Sequence, residues 1–172
     1  MLPSTQCIFI GDCGVGKTTL LKNATRQPLP RLPTIGVDMI SYTSETFRLQ
    51  CWDTSGQLRF KHVVQMFVQN CTIVVYVWSA TSEESFQSIL DTHARLHHQD
   101  KTFVAICTKT KVPGANSHWC ELLQQQYPEI HLIVSDLTTP TLVLEEIITL
   151  VPITVAPASQ ECPASQECCT IV

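Results

Sequence analysis

The sequence predicts an α/β domain with an open, mostly parallel sheet of about six strands and helices on both faces. Apolar runs of about five to seven residues recur along the chain, and most are continuous, as in strands that are buried on both faces. Stretches with helical periodicity separate these runs. At 172 residues, of which 44% are hydrophobic and 15% charged, the chain fits one globular domain.

The predicted elements alternate along the chain. Continuous apolar strands are predicted at residues 7–11, 47–52, 72–78, 103–107 and 130–135. Helices are predicted at residues 17–26, 83–98, 117–126 and 141–151. Residues 39–43 lead into residues 47–52 across a very short connection, which predicts a tight hairpin and one antiparallel strand.

The periodic pattern stops near residue 151. The remainder is rich in Pro, Ala, Ser and Gln and repeats PASQEC at residues 157–162 and 163–168. This composition is typical of a flexible segment. We therefore predict a folded domain at residues 1–151 and a flexible tail at residues 152–172.

Composition argues against several classes of protein. The nine cysteines include no pair of Cys-x-x-Cys motifs, so we do not expect a zinc module. The start, MLPSTQ, lacks the charged and apolar regions of a secretory signal, so we expect a reducing cytosolic compartment and buried thiols that pack as small hydrophobes. The net charge is -4 without a basic stripe, so nucleic acid is not an expected partner.

A phosphate-binding loop is predicted at residues 11–18, which read GDCGVGKT and fit G-x-x-x-x-G-K-[ST]. Glycines let the backbone N–H groups point at phosphate oxygens, and the following helix presents its positive end. Lys17 would contact the outer phosphates and Thr18 would ligate Mg²⁺. A P-loop NTPase fold is therefore expected, with these phosphate-binding candidates: Asp12, Cys13, Gly14, Val15, Gly16, Lys17, Thr18 and Thr19.

Two further segments carry a resemblance to the Ras superfamily of small GTPases, and to its Rab branch most closely, over residues 5–151. Residues 33–38, PTIGVD, resemble the first switch. Residues 52–57, WDTSGQ, resemble the second switch, with Ser55 where the family usually has Ala. Leu58 stands where a Glu is expected.

The resemblance implies a role for each matching switch residue. Thr34 would close on Mg²⁺ and the third phosphate, and Asp53 would hold a magnesium-bound water. The Gly56 amide would contact the third phosphate. Gln57 would orient the attacking water, so that Gln57 and Lys17 are the catalytic candidates and Thr18, Thr34 and Asp53 the metal candidates.

The base-recognition segment departs from the family. Residues 108–111, TKTK, stand where the family has Asn-Lys-x-Asp, and residues 135–137, SDL, stand where it has Ser-Ala-Lys. An ammonium at Lys111 has only donors and cannot accept the hydrogen bonds of guanine N1–H and its amine, which lowers the expected guanine selectivity. Asp136 either pairs with Lys111 or supplies the missing acceptor. The base-binding candidates are Thr108, Lys109, Lys111, Ser135, Asp136 and Leu137.

The last four residues predict lipidation. Cys169-Thr170-Ile171-Val172 fits C-a-a-X, and Cys168 precedes it. One prenyl group anchors a protein only marginally, so prenylation of Cys169 implies a second lipid, on Cys168 or by acylation of Cys162.

The resemblance implies a monomeric switch that binds GTP or GDP with Mg²⁺, hydrolyses GTP slowly and recruits membrane-trafficking partners. Its partners would be an exchange factor, a GTPase-activating protein and effectors, recognised through residues 35–38, Trp52 and residues 58–67. It would cycle between the cytosol and the cytoplasmic face of an intracellular membrane. A Rab-like decoy that binds nucleotide weakly or with an altered base preference, and that occupies Rab partners without cycling, is the alternative. A P-loop kinase of small substrates is disfavoured, because no arginine-rich lid is visible.

Overall fold

The structure of the chain is a computed structural model that describes residues 2–96 and 100–151. The strands are β1 (Ser4–Ile10), β2 (Val37–Thr43), β3 (Arg48–Thr54), β4 (Ile73–Ser79), β5 (Thr102–Thr108) and β6 (His131–Val134). The helices are α1 (Lys17–Ala24), α2 (Lys61–Asn70), α3 (Glu83–Leu96), α4 (His118–Gln126) and α5 (Pro140–Thr149). A short 3-10 helix, Leu58–Phe60, precedes α2.

The strands form one six-stranded sheet in the order β2-β3-β1-β4-β5-β6. The pair β2–β3 is antiparallel, and the other neighbouring pairs are parallel. The predicted fold class is therefore confirmed, including the antiparallel strand. The strand order reverses beside β1, which lies between β3 and β4, and ligands of such sheets bind at the carboxyl ends of the strands at this position.

Both faces of the sheet are covered by helices. Every residue of β4 is buried, and its side chains alternate between two hydrophobic clusters. On one face Val75 packs in a cluster with Leu20 of α1 and Leu144 of α5. On the other face Tyr76 packs in a cluster with Phe86 of α3. The continuous apolar strands of the sequence are thus explained by burial on both sides.

Most of the described cysteines are small core residues, as predicted. Cys7, Cys51, Cys71 and Cys107 are buried free thiols. Burial raises the pKa of Cys71 to about 11, so this thiol stays protonated at neutral pH. Cys13 differs, because it lies exposed on the phosphate loop.

The structure corrects several predicted elements. Helix α2 was not predicted from the sequence; in it Val68 is buried, and Val64 and Phe67 pack half-buried against the same hydrophobic cluster. Helix α1 ends at Ala24 rather than residue 26, since Arg26 adopts a left-handed φ of 54°. Helix α5 spans Pro140–Thr149 rather than residues 141–151, with proline at its first turn.

Some predictions concern residues outside the described ranges. These are the last two residues of the predicted helix at 83–98 and the entire tail at 152–172, including Cys168 and Cys169. Across residues 2–96 and 100–151, the structure contains no helix with the length and apolar character needed to cross a bilayer.

Candidate functional site

The loop between β1 and α1 forms one wall of the candidate site. Gly16 precedes α1 with a left-handed φ of 111°, a conformation that glycine adopts without steric cost. Because α1 begins at Lys17, the N–H groups of its first turn have no partners within the helix. The loop therefore offers the backbone donors and positive helix end expected of a phosphate site.

Lys17 lies inside this loop and is 5% exposed. Its ammonium donates hydrogen bonds to the carbonyl oxygens of Gly11 and Asp12, each at 2.7 Å. Burial lowers the pKa of Lys17 from its ordinary value. Both partners are neutral carbonyls, so the ammonium charge is available to neutralise a phosphate.

The three predicted metal ligands converge beside Lys17. Thr18 Oγ1 donates to Asp53 Oδ2 at 2.6 Å, and Thr34 Oγ1 donates to the same oxygen at 3.0 Å. The two hydroxyl oxygens are 2.9 Å apart. These residues come from α1, from the segment before β2 and from β3, so the fold assembles the cluster from three parts of the chain.

The donor set fits Mg²⁺. Mg²⁺ binds oxygen ligands, and all three side chains supply oxygen. The second carboxylate oxygen of Asp53, Oδ1, is buried without a hydrogen-bond partner in the structure, which leaves it available to a cation or its water. Burial raises the pKa of Asp53, although the hydrogen bonds from Thr18 and Thr34 oppose this effect. A divalent cation would offset the cost of burying this carboxylate.

Lys17, Thr18 and Thr34 border a cavity of about 430 Å³. Its size suits a small-molecule ligand. Many of the predicted site residues line it: Cys13, Gly14, Gly16, Lys17, Thr18, Thr19, Thr34, Gly56, Lys109 and Leu137. Two predicted residues of the phosphate loop do not line it: Val15 is buried in the core, and the carboxylate of Asp12 accepts a hydrogen bond from Ser88 at 2.9 Å.

Gly56 lies against the phosphate loop. A Cβ atom at this position would stand 2.2 Å from the backbone nitrogen of Cys13 and 2.3 Å from the carbonyl carbon of Asp12. No side chain can occupy that space, so glycine is required for this close approach. The second switch segment is therefore packed directly on the loop.

Gln57 does not line the cavity of about 430 Å³, which is called the phosphate cavity below because the phosphate loop borders it. Its Oε1 accepts a hydrogen bond from Arg59 Nε at 2.8 Å, and the residue lines a second cavity of about 330 Å³. That second cavity lies beside α2 and α3, with Lys61 and Ser88 among its lining residues. A change of side-chain position would be needed before Gln57 could orient a water at the outer phosphate.

Of the six base-binding candidates, Lys109 and Leu137 line the phosphate cavity, and the other four do not. Both lining residues have left-handed φ angles, of 58° and 68°. Thr108 is buried, and its hydroxyl lies 2.6 Å from the Val15 carbonyl oxygen and 2.8 Å from that of Trp78. Thr108 thereby ties the end of β5 to the phosphate loop.

Lys111 forms an ion pair with Asp136 Oδ2. The other oxygen, Oδ1, accepts hydrogen bonds from the backbone nitrogen of Thr138 at 3.0 Å and from its hydroxyl. The contact with Lys111, and then those with Thr138, hold the pKa of Asp136 well below its usual range. The sequence left two roles open for Asp136, pairing with Lys111 or supplying the missing acceptor for guanine. In the structure Asp136 pairs with Lys111.

Comparison with known proteins agrees with this geometry. A family model described as the Ras family matches residues 6–121, which include the phosphate loop, both switch-like segments and residues 108–111. The chain belongs to the Ras family. This Ras-family chain is 36% identical over 90 residues to Ras-related protein Rab-30 of Homo sapiens, Bos taurus and Mus musculus. The match covers 49% of this chain and 44% of each relative, so the chain spans about half the length of the curated relatives it matches.

Sequence reasoning missed two arginines at the sites of this Ras-family domain. Arg31 lines the phosphate cavity as a further cation. It lies in the irregular segment PRLP, which carries no periodic signal. Arg59 holds Gln57, and this contact depends on side-chain conformation rather than on any residue pattern.

Proposed function

We propose that the chain is a Rab-like nucleotide switch that binds a nucleoside triphosphate with Mg²⁺, with GTP and GDP as the nucleotides of its family. The observation that carries the proposal is the convergence of Thr18, Thr34 and Asp53 within 3.0 Å contacts beside the buried Lys17. Backbone donors, an ammonium and a cluster of oxygen ligands are the groups that bind a magnesium–phosphate complex.

Different residues would bind the phosphates and the cation. Lys17 and the loop amides would bind the outer phosphates, and Thr18, Thr34 and Asp53 would hold the cation. Bound Mg²⁺ supplies positive charge that neutralises the phosphate oxygens. Thr34 and Gly56 lie outside the loop, on the segments before β2 and after β3. Contacts of these two residues with the third phosphate would make both segments sensitive to its presence.

Hydrolysis would be slow for a structural reason. Lys17 would stabilise charge on the outer phosphate, and Gln57 would orient the attacking water. Gln57 is held by Arg59 outside the phosphate cavity, so the chain on its own must first break that 2.8 Å hydrogen bond. A GTPase-activating protein would accelerate the reaction by favouring the rearranged Gln57.

Partner binding would use the exposed apolar residues next to the two switch segments. Ile35, Leu58 and Met66 are 71%, 72% and 69% exposed. Trp52 is half-buried, and its ring centroid is 4.7 Å from that of Phe67 on α2. This surface is suited to an exchange factor and to effectors, and the chain would act there as a monomer.

Membrane attachment would come from the tail. Prenylation of Cys169, with a second lipid on Cys168 or Cys162, would place the protein on the cytoplasmic face of an intracellular membrane and allow exchange with the cytosol. All three cysteines lie outside the described residues.

The decoy remains a second candidate, and the Lys111–Asp136 ion pair favours it. This contact engages Asp136, the one carboxylate within residues 108–111 and 135–137 that could accept hydrogen bonds from guanine. A decoy would keep the exposed surface around Ile35 and Leu58 and occupy Rab partners without a nucleotide cycle.

The fluorescence of Trp52 separates the two candidates, because this side chain contacts α2 beside the second switch segment. A switch should give different emission spectra with Mg²⁺ and a non-hydrolysable triphosphate than with Mg²⁺ and the diphosphate. The Trp52→Phe variant, which retains Trp78 and Trp119, is the control and should lose that difference. Identical wild-type spectra at saturating concentrations of both nucleotides would reject the switch and leave the decoy.

A further inference from the structure

Two chemically different groups of residues line the cavity. Thr18 lines it and faces Thr34 and Asp53. Lys109 and Leu137 also line the cavity, and Leu137 Cδ1 lies 3.2 Å from the position of a Cβ atom on Gly16. A nucleotide whose phosphates contact Lys17 and the oxygen cluster therefore places its base toward Leu137 and Lys109.

Lys111 and Asp136, which do not line the cavity but follow Lys109 and precede Leu137 in the sequence, form an ion pair with each other. Asp136 Oδ2 pairs with the ammonium of Lys111, and Oδ1 accepts hydrogen bonds from Thr138, so both carboxylate oxygens already have partners. Lys111 is 79% exposed and offers only donors, whereas Asp136 is 13% exposed. The Thr108 hydroxyl lies within hydrogen-bond distance of two backbone carbonyl oxygens.

Guanine presents donors at its N1–H and exocyclic amine, and these donors need acceptors. Within residues 108–111 and 135–137, the one carboxylate is Asp136, and it is already paired. Adenine presents an acceptor at N1 and xanthine presents one at its C2 carbonyl, and the ammonium of Lys111 can donate to either. The side chains of these two segments therefore match acceptor-bearing base edges at least as well as guanine.

We infer that the Lys111–Asp136 ion pair takes the place of a guanine contact, so that this site binds nucleoside di- and triphosphates through their phosphates and does not select guanine. The inference rests on the proposed function, since it assumes that phosphates occupy the loop. Without a charge-assisted contact to guanine, GTP, XTP and ATP should bind within about tenfold of one another.

Competition binding with the full chain tests this inference. GTP, XTP and ATP compete in excess Mg²⁺ against a ribose-labelled fluorescent GDP, and again against the equivalent ADP, so that the base of the probe does not bias the ranking. Wild-type protein should show the three affinities within about tenfold. A preference for GTP of about a hundredfold or more over both competitors would overturn the inference.

The double variant Lys111→Asp with Asp136→Ala restores a free carboxylate without crowding two acids together. It should strengthen GTP relative to ATP by about a hundredfold, because guanine regains two charge-assisted hydrogen bonds. Arg48→Asp is the matched control: it reverses an exposed charge at the start of β3 and should leave the ranking unchanged. An unchanged ranking in a folded double variant would also overturn the inference.

Failure of the inference can be told apart from failure of the proposed function. Strong GTP selectivity in wild-type protein contradicts the inference and leaves the switch intact. If no nucleotide binds in a magnesium-dependent manner, the proposed function fails and the inference fails with it.

Discussion

Thr18 donates a hydrogen bond to Asp53 at 2.6 Å, although the two residues are 35 positions apart in the sequence. Thr18 lies in the first turn of α1 and Asp53 near the end of β3, so this contact joins the phosphate loop to the strand beside β1. Thr34 adds a third oxygen to the same point. The proposed nucleotide site depends on this cluster, because it brings oxygen ligands next to Lys17.

Replacing Gln57 with leucine should slow hydrolysis without weakening nucleotide binding. Leucine cannot orient a water, and Gln57 does not line the phosphate cavity in which binding occurs. Single-turnover phosphate release measures the rate, and fluorescent-nucleotide titration measures binding. Equal hydrolysis rates in wild-type and Gln57→Leu proteins would reject the role assigned to Gln57.

Removing the Arg59 side chain should speed hydrolysis, in contrast to the slower hydrolysis expected of Gln57→Leu. Arg59→Ala frees Gln57 Oε1 from its 2.8 Å hydrogen bond, and a contact of this kind changes an equilibrium by roughly two- to tenfold. We expect a similar increase in the intrinsic rate of phosphate release. Arg95→Ala is the matched control, because the Arg95 side chain donates to Thr92 on α3 instead. No increase with Arg59→Ala would mean that this contact does not limit hydrolysis.

The Lys111–Asp136 ion pair should make stability depend on pH. A carboxyl pKa held below its ordinary value of about 3.9 stabilises the folded state above that pH, and this stabilisation is lost as the pH falls. Asp136→Ala should therefore lower the free energy of unfolding at neutral pH, and its cost should shrink as the pH falls below about 4.

Urea unfolding at several pH values provides the measurement for Asp136→Ala. The control is the same substitution in a Lys111→Met background, where the contact that most lowers the pKa of Asp136 is gone and the pH-dependent part of the cost should be smaller. A cost that is independent of pH in both backgrounds would contradict the proposed coupling.

Replacing Cys169 with serine should move the protein from membranes to the cytosol, because serine cannot carry a thioether-linked prenyl group. Fractionation of cells that express each form is the measurement, and Cys120→Ser, which changes a cysteine on α4, is the control. Continued membrane association of Cys169→Ser would show that another element anchors the chain.

The positions of Lys17 and Thr18 in the fold could be predicted because local spacing fixes them. The spacing within residues 11–18 places Lys17 and Thr18 at the start of a helix, independently of the remainder of the chain. Thr34 and Asp53 were expected only through a family resemblance, and their contacts with Thr18 agree with that expectation.

Other features depend on tertiary structure and leave little trace in the sequence. The two roles considered for Asp136 are equally compatible with its position in the sequence. The choice follows from how the segments after β5 and β6 approach each other and bring Lys111 to the carboxylate.

The most direct test of the central claim is the magnesium dependence of nucleotide binding. A fluorescent GTP analogue is titrated into wild-type, Lys17→Ala and Asp53→Asn proteins, with Mg²⁺ and with EDTA, and Asp91→Asn on α3 serves as the control. Wild-type and control proteins should bind one nucleotide per chain and lose affinity in EDTA. Lys17→Ala should weaken binding by about a hundredfold or more, since Lys17 makes charge-assisted contacts with phosphate, and Asp53→Asn should abolish most of the magnesium effect. Wild-type binding that is absent, or that is identical with Mg²⁺ and with EDTA, would contradict the account.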